Sequence, residues 1–172
     1  MEKHILDKRR TVSVRITPYL AEYVRGKYPH DPANGGVRFP RTDDLYHCLW
    51  HNLVRPRKDM RVERSPNLTL SIGRPRTYEV GLAWKDPAYF NHLSARGAKE
   101  LEVCVQRQFD FELHRAFIES YEAGDGRRQE DVAHDFLRQY GITSISEEAL
   151  LKNWSRYRNM IRPKKPRRYG RG

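Results

Sequence analysis

The chain has 172 residues, enough for one domain of ordinary size with a core of its own. Hydrophobic residues make up 38% and aromatic residues 11%, which excludes the composition of a disordered chain. Lys and Arg outnumber the acids 33 to 22, a net charge of +11, and no apolar run approaches the length of a membrane span.

In chain order, Thr11–Thr17 alternates strictly, with Val12, Val14 and Ile16 on one side and Ser13 and Arg15 on the other, as a half-buried strand does. Thr17-Pro18 then opens a helix to about Lys27, with Thr17 as N-cap and Pro18 in the first position. The Pro- and Gly-rich stretch 29–41 reads as a loop. Thr42 is expected to cap a second helix, with Leu45, Leu49 and Leu53 inward and Pro56 as its stop. Leu68, Leu70 and Ile72 alternate, as do Tyr78, Val80, Leu82 and Trp84, which predicts a β-hairpin whose tip is Gly73–Thr77.

The spacing of Leu101, Val105, Phe109, Leu113, Phe117 and Tyr121 predicts a long helix over 95–123, its apolar face broadened by Phe111 and Ile118 and its end set by Gly124. A helix over about 128–140 follows, closed by Gly141. Ser144 to Glu147 resembles a capping box ahead of a last helix over about 147–161. The class is therefore α+β: a strand-and-hairpin half to about residue 84, a helical half over about 86–162, one globular domain over 1–162, and a flexible basic tail over 163–172.

Charge is unevenly distributed. Residues 1–80 are net +7 and residues 81–151 net −5, while residues 152–172 hold nine bases and no acid. Solubility accounts for net charge, but an acid-free end is the footprint of a polyanion binder. At 100° per residue the last helix places Leu150, Trp154, Tyr157 and Ile161 on one face. Lys152, Arg156 and Asn159 fall on the opposite face, and Arg158 and Arg162 flank the apolar stripe. That ridge runs on into Lys164, Lys165, Arg167 and Arg168. These residues are the expected nucleic-acid contacts, with phosphates as the main partners and Asn159 or Arg156 near a base edge. Arg74 and Arg76 at the hairpin tip are a second candidate contact.

The tip, Gly73-Arg74-Pro75-Arg76-Thr77, resembles the arginine-proline arm tips of bacterial histone-like DNA-bending proteins, which implies an arm that enters a groove. Arg9 to Tyr23 resembles the strand and first helix of ribbon-helix-helix repressors; the resemblance implies that Ser13 and Arg15 read bases, although a Pro- and Gly-rich stretch stands where that family has its second helix. The last two helices suggest a helix-turn-helix, but their connection exceeds the usual three to four residues. The would-be recognition helix also starts with Glu147 and Glu148, which repel phosphate.

Other chemistry has little purchase. His47 and His51 have a metal-ligand spacing without further ligands, and exposed histidines without metal are expected. Asp110 and Glu112 do not face each other; Asp131 and Asp135 share a face that could hold Mg²⁺ in a nuclease, but a solvated helix face explains them more simply. No phosphate loop or nucleophile motif is present, so no enzyme, metal or cofactor is expected. Cys48 and Cys104, far apart in sequence, fit free thiols in a reducing compartment. The polar start Met1–Arg10 lacks a signal-peptide pattern, and a cytoplasmic protein is expected. The sequence thus predicts a DNA-binding regulatory or accessory protein. RNA is the alternative ligand, and a non-catalytic interaction subunit, dimeric or partnered through the aromatics of 95–123, is the alternative class.

Overall fold

A computed structural model describes residues 10–60, 63–72, 85–124 and 126–162. The elements are β1 (Thr11–Val14), α1 (Pro18–Lys27), α2 (Asp44–Asn52), β2 (Leu53–Val54), β3 (Leu68–Ser71), β4 (His92–Leu93), α3 (Ala95–Ala123), α4 (Gln129–Tyr140) and α5 (Glu147–Ile161). Two small antiparallel sheets precede a helical second half, so the α+β class holds.

The alternation in β1 does what it predicts. Val12 and Val14 are buried and lie opposite Leu70 and Leu68 of β3. Ser13 stays outside, within hydrogen-bond distance of the Thr69 hydroxyl at 3.2 Å. Val37 from the proline-rich loop binds the other edge of β3, its N–H donating to the Thr69 carbonyl at 2.9 Å. β3 therefore has a strand on one side and a loop on the other. The expected return strand over 78–84, and the tip with Arg74 and Arg76, lie outside the described residues.

The second helix starts one residue late and stops early. Asp43, not Thr42, is the N-cap, its carboxylate accepting from Leu45 N at 2.8 Å. Pro56 does not end the helix: Leu53 and Val54 turn extended and pair with Leu93 and His92. Tyr46 and Trp50 are buried beside Leu45 and Leu49, so the apolar face is wider than a leucine stripe.

α3 is the spine. Ser94 caps it, accepting from Gly97 N at 3.1 Å, and Gly124 ends it at φ 61°. Apolar residues four apart drift roughly 40° around a helix at each step, so the stripe winds and meets different partners along its length. Near its start, Gly97 lies so close to Asn52 of α2 that a Cβ would come within 3.2 Å of that side chain. In the middle, Phe109 meets Tyr19 and Tyr23 of α1 and Phe136 of α4 edge to face. Towards the end, Phe117 stacks on Trp154 of α5 at 5.0 Å. One step later the stripe has turned past its neighbours: Tyr121 is 86% exposed. Phe111 likewise does not broaden the buried face and is exposed.

α1 crosses the end of α4 with no room to spare. A Cβ on Gly26 would sit 2.0 Å from the Tyr140 carbonyl oxygen, so only glycine permits this approach. Among the described residues no helix is long and apolar enough to cross a membrane.

Candidate functional site

α5 is held at its start by an N-cap and along one side by an aromatic stack. Ser146 accepts from Ala149 N at 3.3 Å, which corrects the capping box read at Ser144. Ser144 has another task. Its N–H and hydroxyl, with those of Thr143, donate to the Glu22 carboxylate of α1 at 2.8–3.1 Å and pin the α4–α5 connection. Burial pushes the Glu22 carboxyl up, but these four donors more than offset it and hold it below the usual range. The connection spans 141–146, longer than a helix-turn-helix takes, and Glu147 at the start of α5 bonds the His134 ring at 2.7 Å. Glu22 ties the connection to α1, and the first turn of α5 presents carboxylates.

The predicted faces of α5 are largely those observed. Leu150 and Trp154 are buried and Tyr157 is half-buried. Phe117, Trp154, Tyr157 and His114 form one stacked column, the last two rings 3.9 Å apart and nearly parallel. Beside it, Asn153 bridges two side chains of α3, 2.6 Å from the His114 ring nitrogen and donating to Asp110 at 2.9 Å. The helix is thus anchored on one side, and Lys152, Arg156 and Asn159 stand exposed on the other. Lys152 is partly neutralised by Glu148 one turn back, at 2.7 Å. Its hydrogen bond and charge in turn hold the Glu148 carboxyl below its usual range. Arg156 and Asn159 make no side-chain contact of this kind among the described residues.

One residue departs from the expected stripe: Ile161 is 54% exposed, because α5 runs past the end of its support. There the helix borders a groove of about 660 Å³, also lined by the last turns of α3 and the start of α4. Arg158 is half-buried on its wall and Arg162 exposed at its mouth. Two donors beneath it, Trp154 Nε1 and Arg158 Nε, are buried with no hydrogen-bond partner among the described residues. The flanking arginines are legible from helical phase. Tyr121 and Arg127, which join them at the groove, are not: Tyr121 reads as core, and nothing local marks Arg127. Lys164, Lys165, Arg167 and Arg168 lie outside the described residues.

The remaining candidates are dispersed. His47 and His51 are exposed, and the His47 ring lies 3.0 Å from the Arg41 carbonyl. Asp135 pairs with Arg127, and Asp131 accepts from Arg128 N at 3.3 Å, so the two carboxylates serve the start of α4. No cluster of three metal-ligating side chains exists among the described residues. Ser13 belongs to a strand paired within its own chain by β3, and Arg15 follows the end of that strand, exposed.

The cysteines are distant in sequence but adjacent in space. The Cys48 thiol of α2 donates to the Glu100 carbonyl of α3 at 3.8 Å, one turn before Cys104, which is near enough to bear on its ionisation. Burial, then Cys104 and the Glu100 charge, push the Cys48 thiol up to about 12. Compared with known protein families, curated proteins and solved structures, the chain matches none.

Proposed function

We propose that this protein binds nucleic acid without catalysis, with duplex DNA as the preferred ligand. The binding surface is the Lys152–Arg156–Asn159 face of α5 together with the basic residues that follow it. The observation that carries this reading is the placement of charge. A helix fixed by Leu150 and Trp154 turns its basic face outward, and from residue 152 to the end the chain has nine bases and no acid. The exposed carboxylates sit at the other end of α5, so the phosphate backbone lies along the second half of the helix. RNA is the alternative ligand of the same surface. The exposure of Phe111 and Val103 on α3 favours a second reading, an interaction subunit joined through that face.

The test is a titration with duplex DNA, single-stranded DNA and RNA at two salt concentrations, for the full chain and for a chain ending at Arg162. The truncation removes Lys164, Lys165, Arg167, Arg168 and Arg171 and no described core residue. The expected result is unchanged melting and weaker duplex binding, with the salt slope reduced by roughly 0.9 for each phosphate that the shortened chain no longer neutralises. Equal affinity and slope would remove the basic end from the site. Absence of any nucleic-acid binding by the full chain, with stable self-association through α3, would favour the interaction subunit.

A further inference from the structure

We infer that the groove at the end of α5 is a site for one unpaired nucleotide, its base lodged against Tyr121 and the apolar floor and its phosphate held by Arg158 and Arg162. The inference rests on the nucleic-acid reading and adds a second mode of contact to it.

The groove has the size and make-up of a small-molecule site. Its volume of about 660 Å³ lies in the range of ligand pockets, which are mostly apolar with a few placed polar groups. Phe117, Ile118, Val132 and Trp154 supply the apolar surface. Tyr121 stands at the edge, 86% exposed, with a ring free to take a flat partner.

Charge selects what enters. Arg127, Arg158 and Arg162 line the groove against one described acid, Glu122. Arg127 is engaged by Asp135 outside it. Arg158 is not engaged in this way: its Nε is buried without an acceptor, an arrangement that costs stability until an anion or another acceptor arrives. The excess of arginine over acid therefore favours an occupant that is anionic and also presents apolar surface.

Geometry selects further. A base in an intact duplex is stacked on both faces and cannot insert, so the duplex meets the exposed ridge of α5 and the basic residues after it but does not enter the groove. An unpaired nucleotide joins a flat π face to a phosphate, which matches a tyrosine beside two guanidinium groups. An acidic peptide supplies the charge but no flat ring at each residue. The place also fits, because Arg162 at the mouth leads directly into the acid-free basic end that would track a strand.

The experiment measures the affinity of the full chain, and of its Tyr121→Ala and Arg158→Gln variants, for four probes at one salt concentration. The probes are a short single strand, the same strand made abasic, its duplex, and a glutamate-rich peptide. Tyr121 is too exposed for its removal to unfold the chain. The expected result for Tyr121→Ala is roughly a fivefold or greater loss on the single strand, with duplex and abasic strand unaffected. Arg158→Gln weakens both the intact and the abasic single strand. Equal losses of Tyr121→Ala on all nucleic acids, or none on any, would overturn the nucleotide site while leaving duplex binding standing. A peptide that binds with the same dependence on Tyr121 would overturn it in favour of a protein ligand. If the unaltered chain binds no nucleic acid, the functional reading falls first and this inference with it.

Discussion

Two charged side chains are half sunk between helices of this protein, and their surroundings differ. Glu112, midway along α3, has both oxygens occupied. Tyr23 and Tyr140 donate to Oε2 at 2.7 and 2.9 Å, and Lys27 pairs with Oε1. Burial alone would raise this carboxyl. The hydrogen bonds from Lys27, Tyr23 and Tyr140, with the Lys27 charge, more than offset it and leave Glu112 below its usual range. Arg158 is half-buried too, yet its Nε has no acceptor among the described residues. The fold completes one charged cluster and leaves a donor open in the other, so the first is a joint between helices and the second is the place proposed to take a ligand.

The largest expected effect breaks the joint. Glu112→Ala strands two tyrosine hydroxyls and an ammonium group where α1, α3 and α4 meet, and costs about 3 kcal/mol, the low end for a buried pair because both partners keep some solvent. Arg158→Met deletes a charge with an unmet donor and fits apolar surroundings, so its stability stays within about 1 kcal/mol of the unaltered chain. Urea unfolding of both variants measures this. Equal losses would mean that Arg158 is as much a structural joint as Glu112.

A smaller effect comes from titrating the joint. Glu112, Glu102, Glu22 and Asp31 all have carboxyls held low in the folded chain. Their stabilisation is present above the unfolded values, about 4, and is lost as pH falls through the lower folded values. The opposite sign holds at high pH. Burial and then the Glu112 acceptor raise Tyr23 and Tyr140, burial and then Asp43 raise Tyr28, and Cys48 stands at about 12. Stability is intact below the unfolded values, about 8.5 for the thiol and 10 for the phenols, and is lost as pH rises from there towards the folded ones. Thermal melts across pH should show both shoulders, and Glu112→Ala should flatten each. An unchanged profile in that variant would show that the cluster does not govern the pH response.

The same contrast explains how much of the molecule is legible in its sequence. Periodicity reports burial, so β1, the three C-terminal helices and the Leu150/Trp154 face follow from residue order alone. Side chains that meet across many residues leave no local trace. Glu112 gathers partners from Lys27 to Tyr140, Glu22 clamps Thr143 and Ser144, and Cys48 finds Cys104. Caps and stops differ from expectation where a tertiary partner outcompetes the local motif: Ser144 serves Glu22 in place of a capping box, and Leu53 leaves its helix to pair with Leu93. Tyr121 escapes the core for a geometric reason. An apolar residue continues the stripe, but the helix has by then outrun the elements that cover it. The basic face of α5 can be read from phase alone, whereas the groove beside it needs three helices to exist.

The smallest effect separates two cations on one face. Lys152 and Arg156 are one turn apart and both exposed, but Lys152 already pairs with Glu148 while Arg156 has no such partner among the described residues. Exposed pairs of this kind are worth a few tenths of a kcal/mol, so neither Lys152→Ala nor Arg156→Ala should move the melting temperature appreciably. Their effects on duplex affinity should differ. Arg156 brings an undivided charge and a planar fork to a phosphate, whereas Lys152 must first give up Glu148. The expected order is therefore a clear loss for Arg156→Ala and a lesser one for Lys152→Ala, with both shrinking as salt screens the contact. Adding Glu148→Gln to the unaltered chain should raise duplex affinity by freeing Lys152 and removing a repelling carboxylate. Equal losses at the two positions, with no gain from Glu148→Gln, would place the phosphate contact away from this face of α5.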